Sequence, residues 1–259
     1  MLREGHGEPV VLFHGVTCSE RIWHQVVPLL SPHYEVFTLT SLGHRGGHAA
    51  ESGTRIKDVI NDAETTLNQL QLDRPHLVGN SMGGWIAIEL ARRGRASSVC
   101  ALSPAGFWDV SSSNQLHALQ VLKSVVRMTQ ATRWALPALS RIGIIRKFAM
   151  KENVVNGDRL SSDELINMAD DLLGCSVKND LLNTSEAIEP LSPAPCPILL
   201  AWSESDRIFS PDINGAIARE RIPDAEWQVL PKVGHLSMLD DPKLLAKTIL
   251  EWIGTRSGS

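Results

Sequence analysis

Six short, mostly apolar runs punctuate this 259-residue chain, at residues 10–14, 34–40, 76–80, 98–102, 197–202 and 226–230. Stretches with apolar residues three and four apart follow or separate them, at 19–30, 55–70, 82–93, 211–221 and 242–253. Runs so short and so continuous suit strands buried on both faces, and strands that alternate with helices are joined by crossovers, which is the geometry of a parallel sheet sandwiched between helices. An α/β fold on a mostly parallel, doubly wound sheet is therefore expected. Between about Phe107 and Cys196 the short runs vanish, and segments such as 115–130 and 162–173 carry apolar residues at helical spacing. This region is expected to be a helical insertion, 107–196, that interrupts one discontinuous core domain of residues 1–106 and 197–259. There is no internal repeat, and the last five residues, from Thr255 to Ser259, read as a frayed tail.

The pentapeptide Gly79-Asn80-Ser81-Met82-Gly83 lies where the third run meets the following helical stretch. A serine on a strand-to-helix corner, flanked two residues away on each side by glycine, has the form of a nucleophile elbow. The glycines serve a tight corner, which leaves no room for side chains on either flank. A serine hydroxyl is a weak nucleophile at neutral pH and needs an imidazole to take its proton, with a carboxylate to hold the imidazole. Of nine histidines, His235 follows the last predicted strand, at the carboxyl edge of the sheet where Ser81 also sits. Asp206 follows the preceding strand at that same edge, with Glu204 as its nearest rival. Two N–H groups are then needed for an oxyanion: Met82, at the positive end of a helix, and Val16, in a loop that Gly15 allows to turn and that His14 braces. His44 and His48 read as loop residues without a role in proton transfer.

Composition narrows the alternatives. A formal charge of −4 and 21% charged residues leave no basic excess for nucleic acid. The four cysteines lie far apart without a C-x-x-C pair or metal-type clustering, so free thiols in a reducing compartment are expected. The amino terminus lacks the apolar stretch of a signal peptide and no run reaches the length of a membrane span, which points to the cytoplasm and to no membrane partner. Neither a metal nor an organic cofactor is called for. Monomer and homo-oligomer both stay open. Of the aromatic and sulfur side chains, Trp23 and Trp85 are expected to pack on the sheet. Trp108, Met128, Trp134, Phe148 and Met168 are expected to fill the interior of the insertion or line a pocket. Arg92-Arg93 and Asp240-Asp241 read as surface charges that need no partner.

His14-Gly15, Gly79-Asn80-Ser81-Met82-Gly83-Gly84, Ser205-Asp206-Arg207 and Gly234-His235 occur in an order and at a spacing that resemble the α/β-hydrolase-fold serine hydrolases, from about residue 8 to 253. The resemblance implies a Ser81–Asp206–His235 triad and a helical cap between the family's sixth and seventh strands. It also implies cleavage of a carboxylic ester or related acyl bond in a small, largely apolar substrate. Carbon–carbon cleavage of a dienoate, thioester, lactone or perhydrolase chemistry, and silent binding of a small ligand are the alternatives. Ser81 separates the chain from the family's dehalogenases and epoxide hydrolases, which carry Asp there. Three departures stand out. Thr40 and Leu42 replace the Asp and Pro of a D-x-P-G-x-G loop, Ser203 replaces a Gly, and the family's first strand pair is missing or reduced to a fragment.

Overall fold

The computed structural model describes residues 1–109 and 113–255; all of the expected tail except Thr255 lies outside them. Seven strands form one sheet: β1 (Leu2–Glu4), β2 (Pro9–Phe13), β3 (Glu35–Leu39), β4 (His76–Asn80), β5 (Ser98–Leu102), β6 (Ile198–Ser203) and β7 (Glu226–Leu230). Their spatial order is β1-β3-β2-β4-β5-β6-β7, with β1 antiparallel to β3 and every other pair parallel. The helices, in chain order, are α1 (Val27–Leu30), α2 (Ile56–Gln69), α3 (Met82–Arg92), α4 (Ser113–Thr132), α5 (Leu136–Leu139), α6 (Gly143–Ala149), α7 (Ser162–Gly174), α8 (Lys178–Leu182), α9 (Asn214–Arg221), α10 (Ser237–Asp240) and α11 (Pro242–Gly254).

The apolar runs are continuous because both faces of the sheet are covered. Val11 and Phe13 of β2, Leu77 of β4, Val99 and Ala101 of β5, and Leu200 and Trp202 of β6 point into one core with α2 and α3. Their neighbours Val10, Leu12, Val78, Cys100, Leu102, Leu199 and Ala201 point into a second core with α1 and α11. This is the two-residue alternation of a strand applied to two apolar layers. Helix α2 shows the matching helical rule: Ile56, Val59, Ile60, Ala63 and Leu67 are its buried residues. Helix α3 is buried along nearly its whole length, so it reads as apolar on all sides.

Two local departures have simple causes. The expected helix over 19–30 divides into a 3-10 turn, Glu20–Trp23, and the short α1. Pro28 lacks an N–H and cannot continue a helix from the preceding turn, so it takes a first-turn position in a new one. Ahead of β2 the described residues hold the single strand β1 where the family has a pair. The helices α4 to α8 therefore fall between β5 and β6 in this sheet's own count.

The strand order reverses around β2, whose neighbours are β3 on one side and β4 on the other. Loops leaving the carboxyl ends of β2 and β4 face each other across that switch, the place where open α/β sheets build their sites. Leu200, fully buried in β6, tests the core: Leu200→Ala is expected to lower unfolding free energy by about 2–5 kcal/mol, read from denaturant midpoints.

Candidate active site

The corner between β4 and α3 leaves no free volume. A Cβ on Gly79 would lie 2.1 Å from the Gly83 carbonyl oxygen, one on Gly83 would lie 2.2 Å from the Phe13 carbonyl oxygen, and one on Gly84 would lie 2.7 Å from Pro104. Backbone therefore meets backbone across β2, β4 and α3, and only glycine fits. Ser81 takes up the turn at φ 57° and ψ −119°, a conformation that L-residues rarely adopt. Its N–H donates to Leu102 O at 3.0 Å, and its carbonyl accepts from Ala105 at 3.0 Å and Trp85 at 3.2 Å, so neighbouring backbone holds the strained residue on both sides.

Behind this corner stands an imidazole–carboxylate pair. His235 Nδ1 lies 2.8 Å from Asp206 Oδ2, and both side chains are almost wholly buried. Asp206 Oδ1 accepts the N–H groups of Ile208 and Phe209, each at 2.9 Å, which fixes the carboxylate plane. A proton on Nδ1 donated to Asp206 leaves Nε2 as the basic nitrogen. Phe209 sets its ring edge to face against the His235 ring at 5.3 Å. The Ser81 hydroxyl and the His235 ring share no hydrogen bond among the described residues, although both line the same cavity. Glu204 is turned away from this pair and accepts the Lys232 N–H at 2.8 Å.

The loop after β2 closes the other side. His14 is fully buried and bridges that loop to the next: its Nδ1 lies 2.7 Å from Gly15 O, and its Nε2 accepts the Ser41 N–H at 3.0 Å. Burial first, and the neighbouring His44 second, lower its pKa to about 3, so it is a neutral brace. His44, lowered to about 4 chiefly by burial, lies edge-on against it, 4.9 Å away. His48 is at the surface beside Asp62. Where the family loop has Asp, the Thr40 hydroxyl donates to the Glu20 carboxylate. Met82 begins α3, so its N–H is among those that no helical carbonyl takes up. Val16, in the facing loop, has no acceptor for its N–H among the described residues.

Ser81, His235, Val16, Met82 and Gly15 all line one cavity of about 180 Å³ between the sheet edge and helices α4 to α8. Gly79, Gly83, Asp206 and His14 stand behind them. Among the described lining residues none is charged; Trp85, Trp108, Met128, Met168 and Phe209 give the wall its apolar character. Trp85 thus joins the cavity wall as well as the core. Trp134 and Phe148, expected inside the insertion, are instead 84% and 64% exposed. Cys18 also lines the cavity, but burial, reinforced by the Asp171 charge, pushes its thiol up to about 12. It is no rival nucleophile.

Several residues that hold the site escape pattern reading. Asn80 donates to Leu102 O at 3.2 Å and to His235 O at 2.9 Å, so the residue before Ser81 grips the histidine loop. Asp240 was expected as an unpartnered surface charge and is buried instead. Its carboxylate accepts N–H groups from Gly234, Val155 and Asn156 at 2.8–3.0 Å, joining the histidine loop to the inserted segment. Asp171 of α7 similarly meets Arg45 at 2.9 Å and accepts from the Ser19 hydroxyl. Asp241 caps α11 through the Leu244 N–H, and Arg92 and Arg93 reach Glu189 O and Glu64. An Asp-Asp-Pro stretch advertises a helix start but does not say which Asp turns inward.

The profile of the alpha/beta hydrolase family matches residues 10–248, and the chain belongs to that family. It is 28% identical over 194 residues to the epoxide hydrolase EphH of Mycobacterium tuberculosis, covering 73% of this chain and 91% of that protein. In structure it is similar to a bromoperoxidase from Bacillus anthracis, with a TM-score of 0.77, 22% identity and coverage of 98% and 94%. A thermophilic esterase from Thermogutta terrifontis gives 0.76, 22% identity, and 98% and 92%. At such identities the structural likeness speaks for the fold alone.

Two outcomes follow. Asp240→Ala leaves the buried Gly234 N–H and the partly buried N–H groups of Val155 and Asn156 without their acceptor and is expected to cost about 1–3 kcal/mol, with faster amide exchange at all three. His14 and His44 are neutral when folded, so below their ordinary value of 6.5 the unfolded chain takes up protons that the folded chain refuses. Stability is full above pH 6.5 and is lost as pH falls toward 4. His24, raised by its hydrogen bond to Glu164, acts in the opposite sense. The thermal midpoint should drop between pH 7 and 5, and His14→Asn should flatten that drop.

Proposed function

We propose that this protein is a serine hydrolase that cleaves a carboxylic ester, or a closely related acyl bond, in a small, uncharged and largely apolar substrate. The observation that carries this reading is the strained Ser81 at a helix N-terminus, on the same cavity as an imidazole held by a buried carboxylate. Ser81 Oγ attacks the carbonyl carbon while His235 Nε2 takes its proton. Asp206 keeps the ring in the tautomer that frees Nε2 and stabilises the imidazolium. The N–H groups of Met82 and Val16 receive the oxyanion. His235 then returns the proton to the departing alcohol, and a water molecule repeats the sequence on the acyl-enzyme to release the acid. The hydrogen bond between Ser81 and His235 forms when substrate is bound, as such bonds tighten on reaching the Michaelis complex.

The cavity wall favours this reading over cleavage of a dienoate. A substrate carboxylate would need a cationic partner, and the described wall has none. Arg207, the cation directly after Asp206, does not line the cavity and donates to Lys151 O. The activity in the name of the mycobacterial relative is not carried over, because Ser81 stands where the family's epoxide hydrolases have Asp. Thioester, lactone and perhydrolase chemistry use the same groups and differ in acceptor and leaving group, so they belong in the same substrate panel.

Exposure to a fluorophosphonate followed by intact-mass measurement tests the reading without knowledge of the substrate. A single adduct on the wild type and none on Ser81→Ala is expected. With short-chain aryl esters, Ser81→Ala and His235→Ala should each lose at least three orders of magnitude in kcat and Asp206→Asn somewhat less, with melting temperatures preserved. A loss below tenfold for Ser81→Ala would sink the proposal. No adduct on folded wild type would favour a ligand-binding role instead.

A further inference from the structure

Helices α4 to α6 carry a charge bias that the chain as a whole lacks. Between Asp109 and Glu152 there is no acidic residue but there are seven Lys and Arg residues, in a protein of formal charge −4. Three of them serve the fold: Lys123 donates to Asn183 Oδ1 at 2.6 Å, Arg133 pairs with Asp170 of α7 at 2.6 Å, and Arg146 donates to Ser140 O and Asp158 O. Arg127, Arg141 and Lys147 are exposed and have no acidic partner among the described residues. Lys151 stands 4.8 Å above the Phe148 ring and pairs with Glu152 at 3.7 Å.

The same stretch exposes its largest apolar side chains. Trp134 is 84% exposed, Ile144 70%, Phe148 64% and Ile142 48%. Ile144 and Phe148 are four residues apart on α6 and so share one face, with Arg141, Lys147 and Lys151 around them. Trp134 stands at the corner between α4 and α5. Apolar side chains grouped like this on a surface mark an interaction site. The face is also continuous with the cavity: Met128 is 44% exposed and lines it, as do Ala149 and Met150, the residues directly after Phe148.

The charge decides the occupant. A second copy seated through this face would set cations against cations. A bilayer surface bearing anionic phospholipid supplies what both halves of the patch need: phosphates for Arg and Lys, and a headgroup–acyl boundary for Trp, Ile and Phe. We propose that the α4–α6 face docks the protein peripherally on an anionic phospholipid bilayer, with the mouth of the cavity turned toward the lipid. No described helix is long and apolar enough to cross a membrane, and an interfacial face needs none. This docking mode departs from the sequence expectation of no membrane partner, which rested on the lack of a spanning run and of a signal peptide and took no account of an interfacial face. The inference stands apart from the acyl chemistry, since none of the residues substituted to test the docking face lines the Ser81 cavity.

Co-sedimentation of the full chain with vesicles tests it. Vesicles containing phosphatidylglycerol should retain the protein at least tenfold better than vesicles of phosphatidylcholine alone, and 0.5 M salt should weaken retention. Ile144→Ser combined with Phe148→Ser, and separately Arg141→Gln combined with Lys147→Gln, should each lower retention at least tenfold while turnover of a soluble ester stays unchanged. The charge pair decides the matter if the apolar pair melts early. Retention by Ser81→Ala should equal wild type, so a failure of the acyl-transfer reading does not disturb the result. Equal retention on both vesicle types, full retention by the charge variant, or a dimer in light scattering that these substitutions dissolve would each overturn the proposal.

Discussion

The close backbone approach at the β4–α3 corner is the constraint on which the rest of this structure depends. Gly79 and Gly83 let the central strand, the central helix and the end of β2 touch with no side chain between them, and Gly84 admits Pro104 against the same corner. That contact fixes where α3 begins, and so where its unpaired N–H groups point. It also drives Ser81 into a left-handed backbone that a surface turn would relax. Ser81 keeps this conformation because Leu102, Ala105 and Trp85 bind its backbone from three sides. Strain of this kind persists only where the surroundings over-determine it.

Around the corner, buried carboxylates do the joining. Asp206 orders the imidazole through one oxygen and its own loop through the other. Asp240 binds the histidine loop to the inserted segment, and Asp171 binds α7 to the loops after β2 and β3. Each accepts at least one N–H or O–H group that would otherwise be buried without a partner, so each reads as an ordering element. The helices they attach present two different faces. One closes a cavity over Ser81 whose described lining carries no charge; the other turns Trp134, Ile144 and Phe148 outward among cations.

Much of this was legible beforehand because it depends on neighbours in sequence. Short apolar runs mark doubly covered strands, the 3.6-residue period marks α2, α7 and α11, and glycine at fixed offsets marks a corner without room for a Cβ. Other features depend on neighbours far along the chain. Nothing local distinguishes Asp240, which turns inward, from Asp241, which caps a helix. Asn80 occupies a variable position in its motif, and its hold on His235 spans 155 residues. The division of residues 19–30 was readable in principle from Pro28, but two short helical pieces and one longer helix share the same apolar spacing.

By itself, then, the sequence determined the parallel architecture, the helical insertion, and the proximity of Ser81, Asp206 and His235 at one sheet edge, since each follows from local periodicity and from the chain order of loops in a parallel sheet. The tertiary structure alone decided which buried groups hold those loops in register and which side of each inserted helix meets the cavity. A helical period tells that a residue lies on a given face of its helix; it carries no information about what is placed against that face. Trp134 and Phe148 show the consequence: their spacing suited an interior, and the packing of α4 to α6 left them in contact with solvent.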